Sequence, residues 1–404
     1  MNTSPMTKEV KMKIEFKSED LRDIVTRACR FSTPNALEPK FGYLVFDGKV
    51  LRARNDKCGL YQTLPIDFGN QLLLESVLLK NIITALDGNM SLTINEADPD
   101  VTAVLKAKKS RSSTKFQKNP NLKEGVWFDL PNCEKHKLPD GFFNAMIQPF
   151  FVIPAQGRYP FVKFDGTTFY GTDGGPRLAR FKPIFQSDQS FLISQSLLAC
   201  IAPETKAPLI EYCIVPGERS DQLWFFFDGF SVYVDDVTFD PPDFAKLFLR
   251  FETDVLPSLV GVNFDRTKVL EVIERLSFIK TGDGIDIRFV NDQMILMAKG
   301  SSGVQSEHIP FKSPVEGLFS INFSFFKEAI ERSEKLWFHP TNYREPIYFQ
   351  SSSGLDIIVM PMVPGNDERT EMFRRSDDYL EYLAETEAKV GISVTGETPE
   401  TEKA

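Results

Sequence analysis

Leu355-Asp356-Ile357-Ile358-Val359-Met360-Pro361-Met362 is the stretch on which the fold turns. Gly354 precedes it and β-branched residues dominate it, so it reads as a buried strand. Pro361 has no N–H to give to a ladder and ends it. Two methionines flank that proline where the strand runs out. Methionine is flexible and polarizable, which suits a surface that fits several different peptides. Taken alone, the stretch reads first as a last core strand.

Two distant stretches change that balance: Thr172-Asp173-Gly174-Gly175-Pro176-Arg177-Leu178-Ala179 and Pro241-Pro242-Asp243-Phe244. Together the three resemble the bacterial-type sliding clamp, the β subunit family of replicative DNA polymerase III. That family carries a Thr-Asp-Gly-x-Arg-Leu turn, a Phe-Pro-Asp-Tyr-like segment and a C-terminal Val-Met-Pro-Met. The resemblance covers about residues 12 to 362, in the family's order and spacing.

The rest of the chain is organised around long-period repetition. A short strand, Lys13 to Phe16, leads to Ser18, placed to cap a helix with Glu19 and Asp20 in its first turn. Leu21, Ile24, Val25 and Ala28 make one apolar helical face. Strands over Tyr43–Phe46 and Lys49–Ala53 flank the turn Asp47-Gly48. Leu79, Ile82, Ile83 and Leu86 form a second helical face, closed by Gly88. Phe16, Leu138 and Phe264 hold matching positions, and Phe46-Asp47-Gly48 recurs as Phe164-Asp165-Gly166 and, degenerately, around Phe289 to Asp292. The second helix recurs near Ser194–Ile201 and Asn322–Arg332. In the middle unit the first helix, Pro139 to Gln148, is cut by Pro149.

Three such units predict an α+β chain of three repeated clamp domains, each with two helices on antiparallel sheets. The expected divisions are a flexible leader at 1–11, domains at 12–131, 132–252 and 253–364, and an acidic tail at 365–404. That tail holds 11 acidic and 5 basic residues, and so carries −6 of the net charge of −9. It reads as disordered, with Tyr379, Leu380 and Leu383 able to line a short helix. Met372-Phe373 and Tyr379-Leu380 are apolar pairs that could mask a peptide pocket from within the chain.

Composition is ordinary for a soluble protein with a real core: 42% hydrophobic and 25% charged. A net charge of −9 argues against a wholly basic nucleic-acid binder, though not against a local basic lining. Five scattered cysteines without a CxxC pair predict reduced thiols rather than a disulfide framework. No apolar run reaches membrane-spanning length and no signal peptide is apparent, so a cytoplasmic protein is expected. His136, His308 and His339 stand in no metal-ligand or nucleophile spacing. Gly174-Gly175 belongs to no phosphate loop, and Asp235-Asp236 and Asp377-Asp378 lack metal-site context. No catalytic constellation is found, and neither a cofactor nor a metal is expected.

Cations ride the helices: Arg22, Arg27 and Arg30 on the first, Lys80 on the second, Lys268, Arg275 and Lys280 in the third unit, and Lys327, Arg332 and Lys335 on the last. Acids on the same helices fit a plain solvated face equally well. A denser basic run, Lys106, Lys108, Lys109, Arg111, Lys115 and Lys118, reads as a solvated hairpin.

The resemblance implies that Arg22, Arg27, Arg30, Lys80, Lys268, Arg275, Lys280, Lys327 and Arg332 meet phosphates of double-stranded DNA without reading bases. It implies a non-enzymatic processivity factor, a head-to-tail homodimer closed around DNA, partnered by a DNA polymerase and a clamp-loader ATPase. It implies a peptide pocket at Thr172, Gly174, Arg177, Leu178, Pro242, Ile358, Met360, Pro361 and Met362, with Lys246 and Leu247 placed by offset from Pro242. The sequence departs from the family at Gly175-Pro176, where one residue is usual, at Ala245, commonly basic, and in its long tail. Two alternatives stand beside this: a clamp-like scaffold or inhibitory protein that does not close on DNA, and an α+β enzyme with a dispersed active site.

Overall fold

The computed structural model describes residues 11–33, 39–95, 101–108, 113–117, 129–217, 221–235, 241–301, 303–312 and 314–362. The leader expected from sequence lies outside them except for Lys11, which opens the first strand rather than ending a flexible leader, and the acidic tail, Lys109, Arg111 and Lys118 lie outside them as well.

Secondary structure repeats three times among the described residues. The first copy runs β1 (Lys11–Lys17), α1 (Ser18–Phe31), β2 (Tyr43–Asp47), β3 (Val50–Arg54), β4 (Cys58–Thr63), β5 (Leu72–Glu75), α2 (Ser76–Ala85), β6 (Asn89–Asn95), β7 (Val101–Ala107) and β8 (Ser113–Gln117). The second runs β9 (His136–Lys137), α3 (Phe142–Met146), β10 (Phe161–Phe164), β11 (Phe169–Thr172), β12 (Arg177–Phe181), β13 (Phe191–Ser194), α4 (Gln195–Ile201), β14 (Leu209–Val215), β15 (Gln222–Phe227) and β16 (Phe230–Asp235). A connecting helix, α5 (Phe244–Arg250), precedes the third copy. That copy is β17 (Val260–Asn263), α6 (Arg266–Ser277), β18 (Gly284–Val290), β19 (Gln293–Gly300), β20 (Gly303–Pro310), β21 (Gly317–Asn322), α7 (Phe323–Ile330), β22 (Lys335–Phe338), β23 (Ile347–Gln350) and β24 (Leu355–Val359).

Pairing repeats with the order. In each copy the first strand joins the last three (β1-β6-β7-β8, β9-β14-β15-β16, β17-β22-β23-β24) and the fifth joins the middle three. The Asp-Gly turns explain part of this. Gly48, at φ +56°, lets β2 fold onto β3 in two residues. In the third copy Asn291 and Asp292 take φ +50° and +54° instead, the two residue types besides glycine that tolerate this region. In the second copy Asp165 accepts hydrogen bonds from the Thr167 and Thr168 backbone N–H groups at 2.9 and 2.8 Å. Burial raises its carboxyl, but these bonds outweigh it and hold the pKa below the ordinary value.

The chain folds as two compact units: residues 1–174 with 180–242, and residues 175–179 with 243–404. In the first unit β4 of the first copy pairs with β16 of the second, from Cys58↔Val234 to Gln62↔Phe230. A side chain at Gly59 would place Cβ 2.3 Å from the Tyr233 ring, so this seam requires glycine there. In the second unit Arg177–Ala179 of β12 lies beside β24, and the Met360 N–H donates to Pro176 C=O at 2.7 Å. The last strand of the second copy thus meets the middle set of the first, and within the second unit β24 meets the Arg177–Ala179 stretch.

Three sequence expectations need correction. Ser18 does not cap α1: its side chain is buried inside the first turn, and Lys17 holds the cap position without a side-chain bond. Ser194, Asp265 and Asn322 do cap their helices. Pro149 does more than cut the middle helix, which closes at Met146 and gives way to a tighter turn over Gln148–Val152. The cysteines are not all reduced, since Cys133 and Cys213 form a disulfide across 80 residues. Scattered spacing says nothing about a pair that a sheet brings together: Cys133 follows β8 in the link to β9, and Cys213 sits in β14. There Cys213 packs with Trp224, Phe226 and Tyr233. Cys29, Cys58 and Cys200 remain thiols.

Candidate partner-binding and nucleic-acid-binding residues

The pocket residues expected from sequence divide between the units. Thr172, Gly174 and Pro242 belong to the first. Thr172 is buried at the end of β11, and its Oγ1 accepts from the Gly174 N–H at 3.1 Å. Gly174 turns the chain at φ +77°, where a Cβ would press on Arg158 and Tyr159.

The second unit holds Arg177, Leu178, Lys246, Leu247, Ile358, Met360, Pro361 and Met362. The strand Leu355–Val359 is buried at every position, so β24 is a core strand. Its exit is different: Met360 and Met362 are 44% and 41% exposed. The Met362 N–H donates to Ser320 C=O at 2.8 Å, and the Met362 sulfur lies close to Gly284. The backbone is therefore pinned on both sides of Pro361 while both methionines stay partly open to solvent. On α5, Asp243 caps the helix by accepting from the Lys246 N–H, Lys246 is exposed, and Leu247 is 47% exposed.

Arg177 is held from α7. Its guanidinium lies 2.6 Å from the Glu328 carboxylate and 4.0 Å from the centre of the Phe325 ring. Phe325 and Glu328 are three residues apart, so one helix face presents both. Neither carries a motif. Only the fold brings them to Arg177, and sequence reasoning missed both.

The helix cations separate into two groups. Arg27 and Arg30 both pair with Glu204, which follows α4, Arg27 at 2.9 Å. Arg27 also donates to Gln62 and stacks on Phe230 at 4.2 Å. Burial raises the Glu204 carboxyl, but the hydrogen bonds and charges of Arg27 and Arg30 prevail and hold it below the ordinary range. Arg22 reaches Asp87 and the end of α2. Arg332 donates to Glu328 C=O, Arg275 pairs with Glu307 at 2.9 Å, and Lys280 lies over Phe323. Lys80 is half-buried, Lys268 lies 3.7 Å from Asp265 with most of its side chain exposed, and Lys327 is exposed. The outward cations in this set are thus Lys268, Arg275 and Lys327, while Arg27 and Arg30 are largely engaged within the chain.

Among the described residues no group of three or more His, Cys, Asp or Glu side chains is placed to hold a metal ion. His339 accepts backbone N–H groups from Thr341 and Asn342, and His308 meets Gln293. No helix of the described residues is long and apolar enough to cross a membrane.

The threefold order of strands and helices has close counterparts among solved structures. A DNA polymerase III β subunit from Thermotoga maritima superposes with a TM-score of 0.69 over 87% of this chain and all of its own, at 15% identity. This chain has the sliding-clamp fold. Other structures with the sliding-clamp fold that it resembles are the β subunit from Pseudomonas aeruginosa (TM-score 0.66, 17% identity, 87% and 100% covered) and a sliding clamp from Bartonella birtlesii bound to griselimycin (0.68, 16%, 87% and 100%). No family model and no curated protein matches the sequence. Identity this low leaves the sliding-clamp fold legible in three dimensions and in a few short motifs only.

Proposed function

We propose that this protein is a DNA sliding clamp, a non-enzymatic processivity factor that encircles duplex DNA and tethers a DNA polymerase. In this reading each repeat is one domain, at 12–131, 132–252 and 253–364, and the protein works in the cytoplasm with a clamp-loader ATPase.

The observation that carries it is an unfinished pattern. Each middle set of strands offers one edge to the last strand of a following copy. β4 receives β16, and the β12 stretch of the second unit receives β24. The remaining pair is β20, at the edge of β20-β19-β18-β21, and β8, at the edge of β1-β6-β7-β8. An open edge is a template for another chain. Pairing β20 of one subunit with β8 of a second repeats the internal seam, and two subunits then close head to tail with both of these edges paired.

The helices support the same join. Leu21, Val25 and Ala28 of α1 match Val269, Ile273 and Leu276 of α6 at an offset of 248 (269 − 21). Arg30 then corresponds to Phe278, which is 82% exposed beside β20. An exposed aromatic at the position that makes an inter-repeat contact in the first unit fits a subunit anchor.

A closed ring holds DNA by topology, so its contacts can stay weak and sequence-independent. Outward Lys268, Arg275 and Lys327 suit that task. Partner peptides dock at the exit of β24, where Met360, Met362 and Leu247 supply apolar area, with Leu178, Ile358 and Pro361 behind them. Lys246 completes the pocket in this reading.

The test is retention. Loaded protein should stay on nicked circular DNA, leave the same DNA once it is linearised, and sediment as a dimer. Equal loss from both forms would sink the ring and favour a scaffold that does not close.

A further inference from the structure

We infer that Glu328 sets the charge preference of the peptide pocket by neutralising Arg177. This deepens the pocket reading above and rests on it.

Arg177 enters the second unit on the stretch 175–179, next to the residue whose carbonyl accepts the Met360 N–H. Its side chain is 11% exposed, whereas that of Glu328 is 37% exposed. The cation is thus the inner member of the pair and the carboxylate the outer one. Phe325 covers the guanidinium face and Glu328 takes its Nη1. The other charges at this corner include Arg332, whose guanidinium donates to Glu328 C=O, Glu331, which lies 3.2 Å from Arg332, the exposed Lys327 on α7, and Asp286, whose carboxylate accepts from the Ser320 hydroxyl. Met362 is bonded to Ser320, on the strand that leads directly into α7. One corner of the unit, β21 with α7, therefore holds both an exposed methionine and the arginine.

A peptide lying against Met360 and Met362 meets apolar sulfur and methylene groups and a carboxylate at the margin, while the arginine charge is already satisfied. Acidic side chains on the peptide face Glu328 without gaining Arg177, and like charges in a partly dry interface are costly. Glu328 is in this sense a specificity residue that acts through a preset arginine. Removing its charge while keeping its shape should uncover Arg177 to the ligand.

The experiment compares two acetylated synthetic peptides that share an apolar Met-Phe pair and carry either Ser or Asp just before it. Binding to the full chain is measured by fluorescence anisotropy for the unaltered protein, for Glu328→Gln and for the double variant Arg177→Glu with Glu328→Arg. The unaltered protein should favour the Ser peptide. Glu328→Gln should shift the affinity ratio toward the Asp peptide by about fivefold, and the double variant, which keeps the pair but sets the cation on the outside, should shift it further the same way. A purely structural role would weaken both peptides equally and leave the ratio unchanged, which overturns the inference even if Glu328→Gln also loses stability. If neither peptide binds the unaltered protein, the pocket reading falls, and this inference with it.

Discussion

The first helix of the first repeat and the first helix of the third carry one apolar face and end in opposite chemistry. In α1 the last turn brings Arg27 and Arg30 to Glu204, and the Cys200 thiol donates to Arg30 C=O at 3.0 Å. The seam below is a full β4–β16 ladder, and a disulfide fastens the link after β8 to β14. In α6 the matching positions are Arg275, whose partner Glu307 lies on the neighbouring edge strand β20, and Phe278, which is open to solvent. The contrast teaches how one repeat serves two ends. A junction made once during folding can be ionic, whereas in the proposed ring a junction between subunits that must open and reclose is better apolar.

The largest expected effect breaks the sealed side. Replacing Cys133 and Cys213 by serine removes a crosslink spanning 80 residues. The chain-entropy argument puts that at about 4.5 kcal/mol. The drop in unfolding midpoint should appear equally in unaltered protein treated with reductant. Coincident denaturation curves with and without reductant would mean that the disulfide adds nothing.

Next comes Glu204→Ala, which strands two partly buried guanidinium groups and should cost about 2 kcal/mol. The pH dependence has a definite sign. Because its folded pKa is below the ordinary 4.5, Glu204 stabilises fully above that value, and the contribution is lost as pH falls through the lower folded value. Urea midpoints at pH 7 and pH 3 should differ less for the variant than for the parent. Subunit association should not change, and if it does, the two junctions are not separable.

Phe278→Asp sharpens the other side. It should weaken subunit association about a hundredfold, read by sedimentation against concentration, with the thermal midpoint of the chain unchanged. Parental association would remove Phe278 from the interface. The smallest effect is expected for Arg275→Ala. The Arg275–Glu307 pair is solvent-exposed, so the variant should unfold with the parent while the salt dependence of DNA binding flattens by about one unit of slope.

Much of this architecture was readable from residues. The Asp-Gly turns and the apolar spacing of Leu21, Val25 and Ala28 recur because each repeat solves the same local problem with the same side chains. The exit of β24 was readable because proline and methionine have few uses at a strand end. What escaped was everything that depends on long-range pairing. Glu204 lies 174 positions from Arg30 and Glu328 lies 151 from Arg177, and no local pattern links them. Counting Arg27 and Arg30 among outward cations followed from a helix viewed in isolation, where α4 was not there to claim them. The same blindness hid the Cys133–Cys213 bond, whose partners face each other only once β14 is built.

That bond also changes how damage to the chain would look. It closes residues 133–213 into a covalent loop, and Ile184 stands fully exposed within it, between β12 and β13. A backbone cut at that point severs the polypeptide without parting it. The two fragments would travel as one species on a gel run without reductant and separate only after thiol treatment. A molecule nicked there gains only one water, and its history shows plainly once the bond is reduced.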